Sequence, residues 1–296
     1  PFVTGISAHN YAALNNASNH PLYNRAIRGL YSPGSTIKPF YALSALSEHL
    51  LTPSTSIFDP GWFRLPHTQH VYHDWKRNGH GWVNLSKAIM VSCDTFFYEL
   101  AVRMGIKDLD HSLTQFGFGT LSGIDLNEEL PGTVPSPQWK RTHQQHPWYT
   151  GDTIITGIGQ GSLLVTPLQL AVATSMIADR GTHYLPHLLL QSQHNKIVTH
   201  VTPTLLSTLY PSQTSIWKTV IQAMKKVIYG NEGTAINFGK HTNYYAAGKT
   251  GTAQVYGKVR DEEYSRTNIP FKLRNNHLFV VFAPVFGYQA SGVARA

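Results

Sequence analysis

Helical spacing fills the middle of this chain and strand spacing is confined to its end, and that segregation constrains the fold more than any other feature. After the turn signal Ser32-Pro33-Gly34, apolar residues at Ile37, Phe40, Tyr41, Leu43, Ala45 and Leu46 predict a largely buried helix over 35–51, with Pro39 tolerated near its start. Residues 83–104 are helical again, broken around Ser92-Cys93-Asp94 and closed by Gly105. Thr166-Pro167 gives a capping residue and a first-position proline to a helix over 168–180, and another helix covers 212–229. Strand character is limited to 244–256 and 278–285. The Pro-, Gly- and His-rich stretch 52–80 reads as irregular, and 131–147 as loop. Helices followed by strands are the arrangement of an α+β domain.

The 296 residues have room for one large or two ordinary domains, and 42% hydrophobic residues provide a sizeable core. The net charge of +8 fits an anionic partner, but the cations are scattered and no nucleic-acid motif is legible, so nucleic acid is excluded as partner. Cys93 stands alone, which rules out an internal disulfide and leaves the redox compartment open. The first sixteen residues lack a basic segment followed by an apolar core, and no apolar run reaches spanning length. The chain is therefore cytosolic or a piece of something longer.

Three short motifs stand in order: Ser35-Thr36-Ile37-Lys38, Ser92-Cys93-Asp94 and Lys249-Thr250-Gly251-Thr252. A serine hydroxyl is a poor nucleophile until a base takes its proton. Residues three apart on a helix share a face, so Lys38 can reach Ser35. Lysine acts as a base only when neutral; burial and a second cation favour that form, and Lys249 is the candidate cation. The helix N-terminus adds potential that favours the developing alkoxide. Taken alone, Ser35 with Lys38 is more simply a capping serine beside a solvated lysine. Ser215-Ile216-Trp217-Lys218 has the same spacing, but it lies within a helical run with no turn to expose its hydroxyl.

Around Lys249, small residues and glycines inside a strand pattern mark close approach by another backbone, here a peptide added as a strand. The backbone N–H groups of Thr252 and Ser35 then make an oxyanion hole, and the Thr250 and Thr252 hydroxyls hold a carboxylate. A glycine bulge in an ordinary strand is the plainer reading of that segment in isolation. Gly157-Ile158-Gly159-Gln160-Gly161 lacks the spacing of a dinucleotide loop. His67, His70, His73, His143 and His146 lie in polar loop, and no H-E-x-x-H motif is present.

These residues together resemble the class B penicillin-binding proteins of rod-shape elongation, the penicillin-binding protein 2 type. The resemblance runs from Phe2 to about Val285. It also takes in Asn24-Arg25-Ala26, Tyr31 to Pro39, Asp94-Thr95-Phe96-Phe97-Tyr98, Gly123-Ile124-Asp125-Leu126, Pro147-Trp148-Tyr149, Gly151-Asp152-Thr153-Ile154 and Gly157 to Gly161 with Thr166-Pro167. It implies the penicillin-binding and serine β-lactamase-like fold, an α/β sandwich of antiparallel sheet and helices with an all-helical subdomain. It implies a D,D-transpeptidase that cross-links peptidoglycan stem peptides and is acylated by β-lactams, with no catalytic cofactor. Ser35 is then the nucleophile, Lys38 the base and Ser92 the proton relay, while Lys249, Thr250, Gly251 and Thr252 bind substrate. Asp94 stands where the wider superfamily has Asn, adding an anion that can pair with Lys38 or Lys249. The parent protein is expected at the periplasmic face of the inner membrane, anchored by an N-terminal segment and working with a SEDS-type glycan polymerase and an elongation scaffold.

The family's sheet has two strands before the point where this chain begins and a strand and helix after Val285. The sheet over 1–296 is therefore expected to be incomplete, with 286–296 an atypical tail and the chain alone poorly soluble or inactive. A serine β-lactamase or D,D-carboxypeptidase needs efficient deacylation by water, and Glu128-Glu129-Leu130-Pro131 does not match the acidic element that supplies it. A non-catalytic β-lactam-binding fragment is the remaining alternative.

With Ser92 and Asp94 facing the cleft, Cys93 points back into the helical part, where the same region supplies Asp59, Asp74 and His80. One thiolate, one imidazole and two carboxylates complete a closed tetrahedral zinc site of the structural kind. A small buried cysteine beside solvated Asp and His is the commoner arrangement, and the spacing matches no standard signature. The resemblance favours zinc, which some members of this branch carry at corresponding residues.

Overall fold

The computed structural model describes residues 2–253 and 275–285. Along the chain run α1 (Ala8–Asn15), α2 (Arg25–Arg28), a 3-10 turn (Gly34–Ile37), α3 (Lys38–Ser47), β1 (Ser56–Asp59), β2 (Trp62–Phe63), β3 (Tyr72–His73) and β4 (Gly81–Asn84). Then come α4 (Leu85–Met90), α5 (Asp94–Gln115), α6 (Pro137–Gln144), α7 (Thr150–Thr156), α8 (Pro167–Ala178), β5 (Thr182–Tyr184), β6 (Gln191–His194), β7 (Ile197–His200) and β8 (Leu205–Thr208). The described part ends with α9 (Thr214–Tyr229), α10 (Ile236–Gly239), β9 (Ala247–Ala253) and β10 (Asn276–Phe282).

The helix expected at Ser35 opens as a 3-10 turn and continues as α3, all ten of whose residues are buried. Gly105, at φ 71 and ψ 169, breaks α5 where the sequence placed a helix end. In α8, Thr166 and Gln169 form a reciprocal capping box with Pro167 at the first helical position. The strands expected over 244–256 and 278–285 are β9, which starts at Ala247, and β10, which starts two residues early at Asn276 and ends at Phe282; they pair antiparallel with Lys249 opposite Val280, and residues 254–274 and the tail 286–296 lie outside the described residues.

Two expectations are corrected. The stretch 52–80 is not irregular: β1 pairs with β4, from Ser56 opposite Asn84 to Asp59 opposite Gly81, and β2 pairs with β3. The loop expected over 131–147 contains α6, whose Ser136 cap accepts from Trp139 N ahead of Pro137. The antiparallel pairs β5–β8 and β6–β7 likewise lie outside the two stretches to which strand character was assigned.

The core brings the three motifs to one place. α3 packs on α5 and α9; α9 packs on β9 and α4; and the 3-10 turn lies against β9. Phe40 sits edge-on to Phe116 and Phe118, and Trp217 from α9 closes on Phe116. Burying such side chains contributes about 1.5–3 kcal/mol each, so the helix bearing Lys38 is firmly seated. Among the described residues no helix is long and apolar enough to cross a membrane.

Candidate active site

The Ser35 turn is held by backbone against backbone. Gly34, at φ 54, would drive an added Cβ to 2.7 Å from the Thr252 carbonyl, and Gly251 would meet the Pro33 carbonyl at 2.8 Å. Gly34 N in turn donates to Gly159 O at 2.8 Å. The glycine-rich loop therefore seats the turn that carries Ser35, a role that sequence reasoning missed although the glycine spacing was its signal. Ser35 is half-buried and sits in the first turn of the helix, where N–H groups have no intrahelical acceptor.

Ser92 sits just past α4. Its N–H bonds Ile89 O at 3.3 Å and Cys93 N bonds Ala88 O at 2.9 Å, a Schellman closure that puts Ser92 at φ 60 in a position favouring glycine. Lys249 Nζ donates to Ser92 Oγ at 2.8 Å and to Thr250 O at 2.8 Å. Lys38 Nζ donates to Ser92 O at 2.9 Å and to Asp94 Oδ1 at 2.6 Å, so both of its side-chain bonds go to the second motif, where the shared helical face had pointed it at Ser35. Of the two partners open to Asp94, it takes Lys38.

Both lysines are fully buried. Burial, and then the Lys38 charge, push the Lys249 ammonium well below its ordinary pKa. The Lys38 charge is thus one of the two causes that lower Lys249. Thr250 is half-buried with its Oγ1 2.5 Å from Thr234 Oγ1, and Thr252, beyond buried Gly251 in β9, is exposed with its Oγ1 3.3 Å from His277 Nδ1. Ser215 and Lys218 of the competing spacing lie exposed on α9.

Behind Cys93 the four expected ligands converge. Asp59, Asp74, His80 and Cys93 are all buried, and their candidate donor atoms lie within 4.8 Å of one another. His80 Nδ1 is 2.8 Å from Asp59 Oδ2 and 3.6 Å from Asp74 Oδ1, and Cys93 Sγ is 3.4 Å from Asp59 Oδ2. His80 Nε2 is buried without a hydrogen-bond partner. Burial, and then the Asp94 charge, raise the Asp74 carboxyl; burial, and then Asp74, raise the Cys93 thiol. Two carboxylates, a thiol and an imidazole packed this closely fit a divalent cation, whose charge acts against those shifts.

The profile of the penicillin-binding protein transpeptidase domain matches residues 5–289. The chain belongs to that family. It is 41% identical over 284 residues to the peptidoglycan D,D-transpeptidase MrdA of Escherichia coli K12, covering 96% of this chain and 45% of the relative. The MrdA of Haemophilus influenzae is 39% identical over 283 residues, covering 96% and 44%. The chain thus spans about half the length of the curated relatives it matches. Among solved structures, Pseudomonas aeruginosa PBP2 in complex with WCK 5153 superposes with a TM-score of 0.80 at 40% identity, covering 95% of this chain and 59% of that one. PBP2 of Helicobacter pylori in complex with MreC gives 0.80 at 33% identity, covering 95% and 48%. The transpeptidase fold expected from the sequence is the fold observed.

Proposed function

We propose that this chain is the catalytic domain of a peptidoglycan D,D-transpeptidase, with Ser35 as its acylated nucleophile. The observation that carries this reading is the bridging of the motifs: Ser92 is bonded through its hydroxyl to Lys249 and through its carbonyl to Lys38, while the Ser35 turn rests on β9 beside Thr252. Ser35 Oγ attacks the carbonyl carbon of the penultimate residue of a stem peptide, with Lys38 as the base that takes its proton. The Ser35 and Thr252 N–H groups stabilise the oxyanion, and Thr250 and Thr252 hold the terminal carboxylate. As the C–N bond breaks, Ser92 hands a proton to the leaving amine and is resupplied by the lysines that flank it. An amine of a second stem peptide then attacks the ester, regenerating Ser35 and forming the cross-link.

Asp59, Asp74, His80 and Cys93 would hold one structural zinc, with no part in the chemical steps. Its support is the closeness of the four buried donors. The parent protein would act in cell-wall synthesis with an MreC-type scaffold and a glycan polymerase, a reading supported by the names of its relatives. It would work at the periplasmic face of the inner membrane, held by an anchor. Incubation with a chromogenic β-lactam tests the central reading. Stoichiometric, slowly released labelling of Ser35 is expected; rapid multiple turnover would make the protein a β-lactamase instead.

A further inference from the structure

We propose that Trp75 is a positioning residue for the second motif, fixing Ser92 by holding the carbonyl that precedes it; this rests on the transpeptidase reading above. The last carbonyls of a helix have no intrahelical partner, and a chain that turns through the left-handed region straight after them has to satisfy them from outside. At the end of α4 that outside partner is Trp75, whose indole Nε1 donates to Val91 O at 3.1 Å. The neighbouring residue works on the other side of the same turn. Asp74 Oδ2 accepts from Asp94 N at 2.6 Å and from Thr95 N at 3.2 Å, which are first-turn amides of α5. Two consecutive residues therefore grip the chain immediately before and immediately after Ser92-Cys93, and φ 60 at Ser92 is trapped between them.

Ser92 needs this restraint because its conformation is one that a serine adopts reluctantly. In that conformation its hydroxyl meets Lys249 and its carbonyl meets Lys38. Trp75 is 59% exposed, so apolar burial does not account for a tryptophan there. Its ring lies 5.4 Å from that of His80; a phenyl ring at this position loses the N–H together with one fused ring, whereas a benzothienyl ring loses the N–H alone. Trp75 touches neither lysine nor Ser35 in the hydrogen-bond pattern, so it acts through Val91 and Ser92.

The test compares wild type, Trp75→Phe and a protein carrying benzothienylalanine at position 75, in which sulfur replaces the indole N–H. Stopped-flow acylation by a fluorescent penicillin separates the acylation rate constant from the dissociation constant of the non-covalent complex. Both variants are expected to lose about fivefold to tenfold in the rate constant, the weight of one hydrogen bond expressed in the reacting geometry. The dissociation constant, metal content and melting temperature stay at the wild-type values. An unchanged rate constant in the benzothienylalanine protein overturns the proposal. So does a loss that appears only in Trp75→Phe and tracks a lower melting temperature or lost metal, since that marks a packing role. A wild-type protein that is not acylated at all overturns the transpeptidase reading, and this inference with it.

Discussion

Lys249 Nζ donates to Ser92 Oγ across 2.8 Å, joining residues 157 positions apart in the chain. The bond exists because Ser92 occupies the left-handed position after α4 that most helices give to glycine. Function and stability therefore oppose each other at one residue, and the opposition is measurable.

Replacing Ser92 with Gly and with Ala separates the two. Both variants lose the hydroxyl and are expected to lose acylation by penicillin. Ser92→Gly should nevertheless be more stable than Ser92→Ala by about 1 kcal/mol, because only the glycine tolerates φ 60 without steric cost. Urea titrations of the pair measure this; equal midpoints would show that the conformation carries no strain.

Lys249 is a second site where stability yields to chemistry. Its folded pKa lies well below the ordinary value, chiefly through burial, so in the window between the two the unfolded chain binds the extra proton. Stability of the wild type must rise with pH through that window, and the penalty is fully present below it. Lys249→Met has no such penalty. It should exceed the wild type by about 1–3 kcal/mol at neutral pH, with the gap closing as pH is raised, while acylation is lost. A gap that stays constant with pH in denaturant titrations would contradict this account.

The glycine-rich loop gives a contrast between two neighbours. A Cβ on Gly159 would overlap the Gly34 backbone directly beneath Ser35, whereas one on Gly161 would meet only the Ile155 Cγ2 at 3.3 Å. Both glycines have positive φ, so both alanine variants carry that strain. Gly159→Ala is expected to cost at least about 2 kcal/mol more than Gly161→Ala and to slow acylation far more. Melting temperatures and labelling rates of the two variants check the order.

Metal analysis of protein purified without chelator should find about one zinc per chain. Cys93→Ala and His80→Ala should lose the metal and at least about 2 kcal/mol of stability. Metal-free wild type whose melt is unchanged in both variants would end the zinc assignment.

Much of this protein was legible locally. Pro33-Gly34 started a helix, Gly105 and the Ser92 break ended others, and Thr166-Pro167 capped one, because turn and cap chemistry depends on a few adjacent residues. The three motifs were readable for the same reason, as each is a short run with its own spacing. Helix α6 carried a legible signal in Ser136-Pro137, but its polar, unburied face gave no apolar period to accompany it. Strands β1 and β4 escaped because each is four residues long and its partner lies more than twenty residues away, so pairing rather than propensity makes them strands. The convergence of Asp59, Asp74, His80 and Cys93 was proposed from neighbourhood and resemblance, and it is that long-range pairing which carries Asp59 to His80. Which lysine takes the carboxylate, and which is left to burial, was settled only by packing. Lys38 and Lys249 are 211 positions apart, and only the closing of α5 and β9 around Ser92 brings the first onto Asp94 Oδ1 and the second onto Ser92 Oγ.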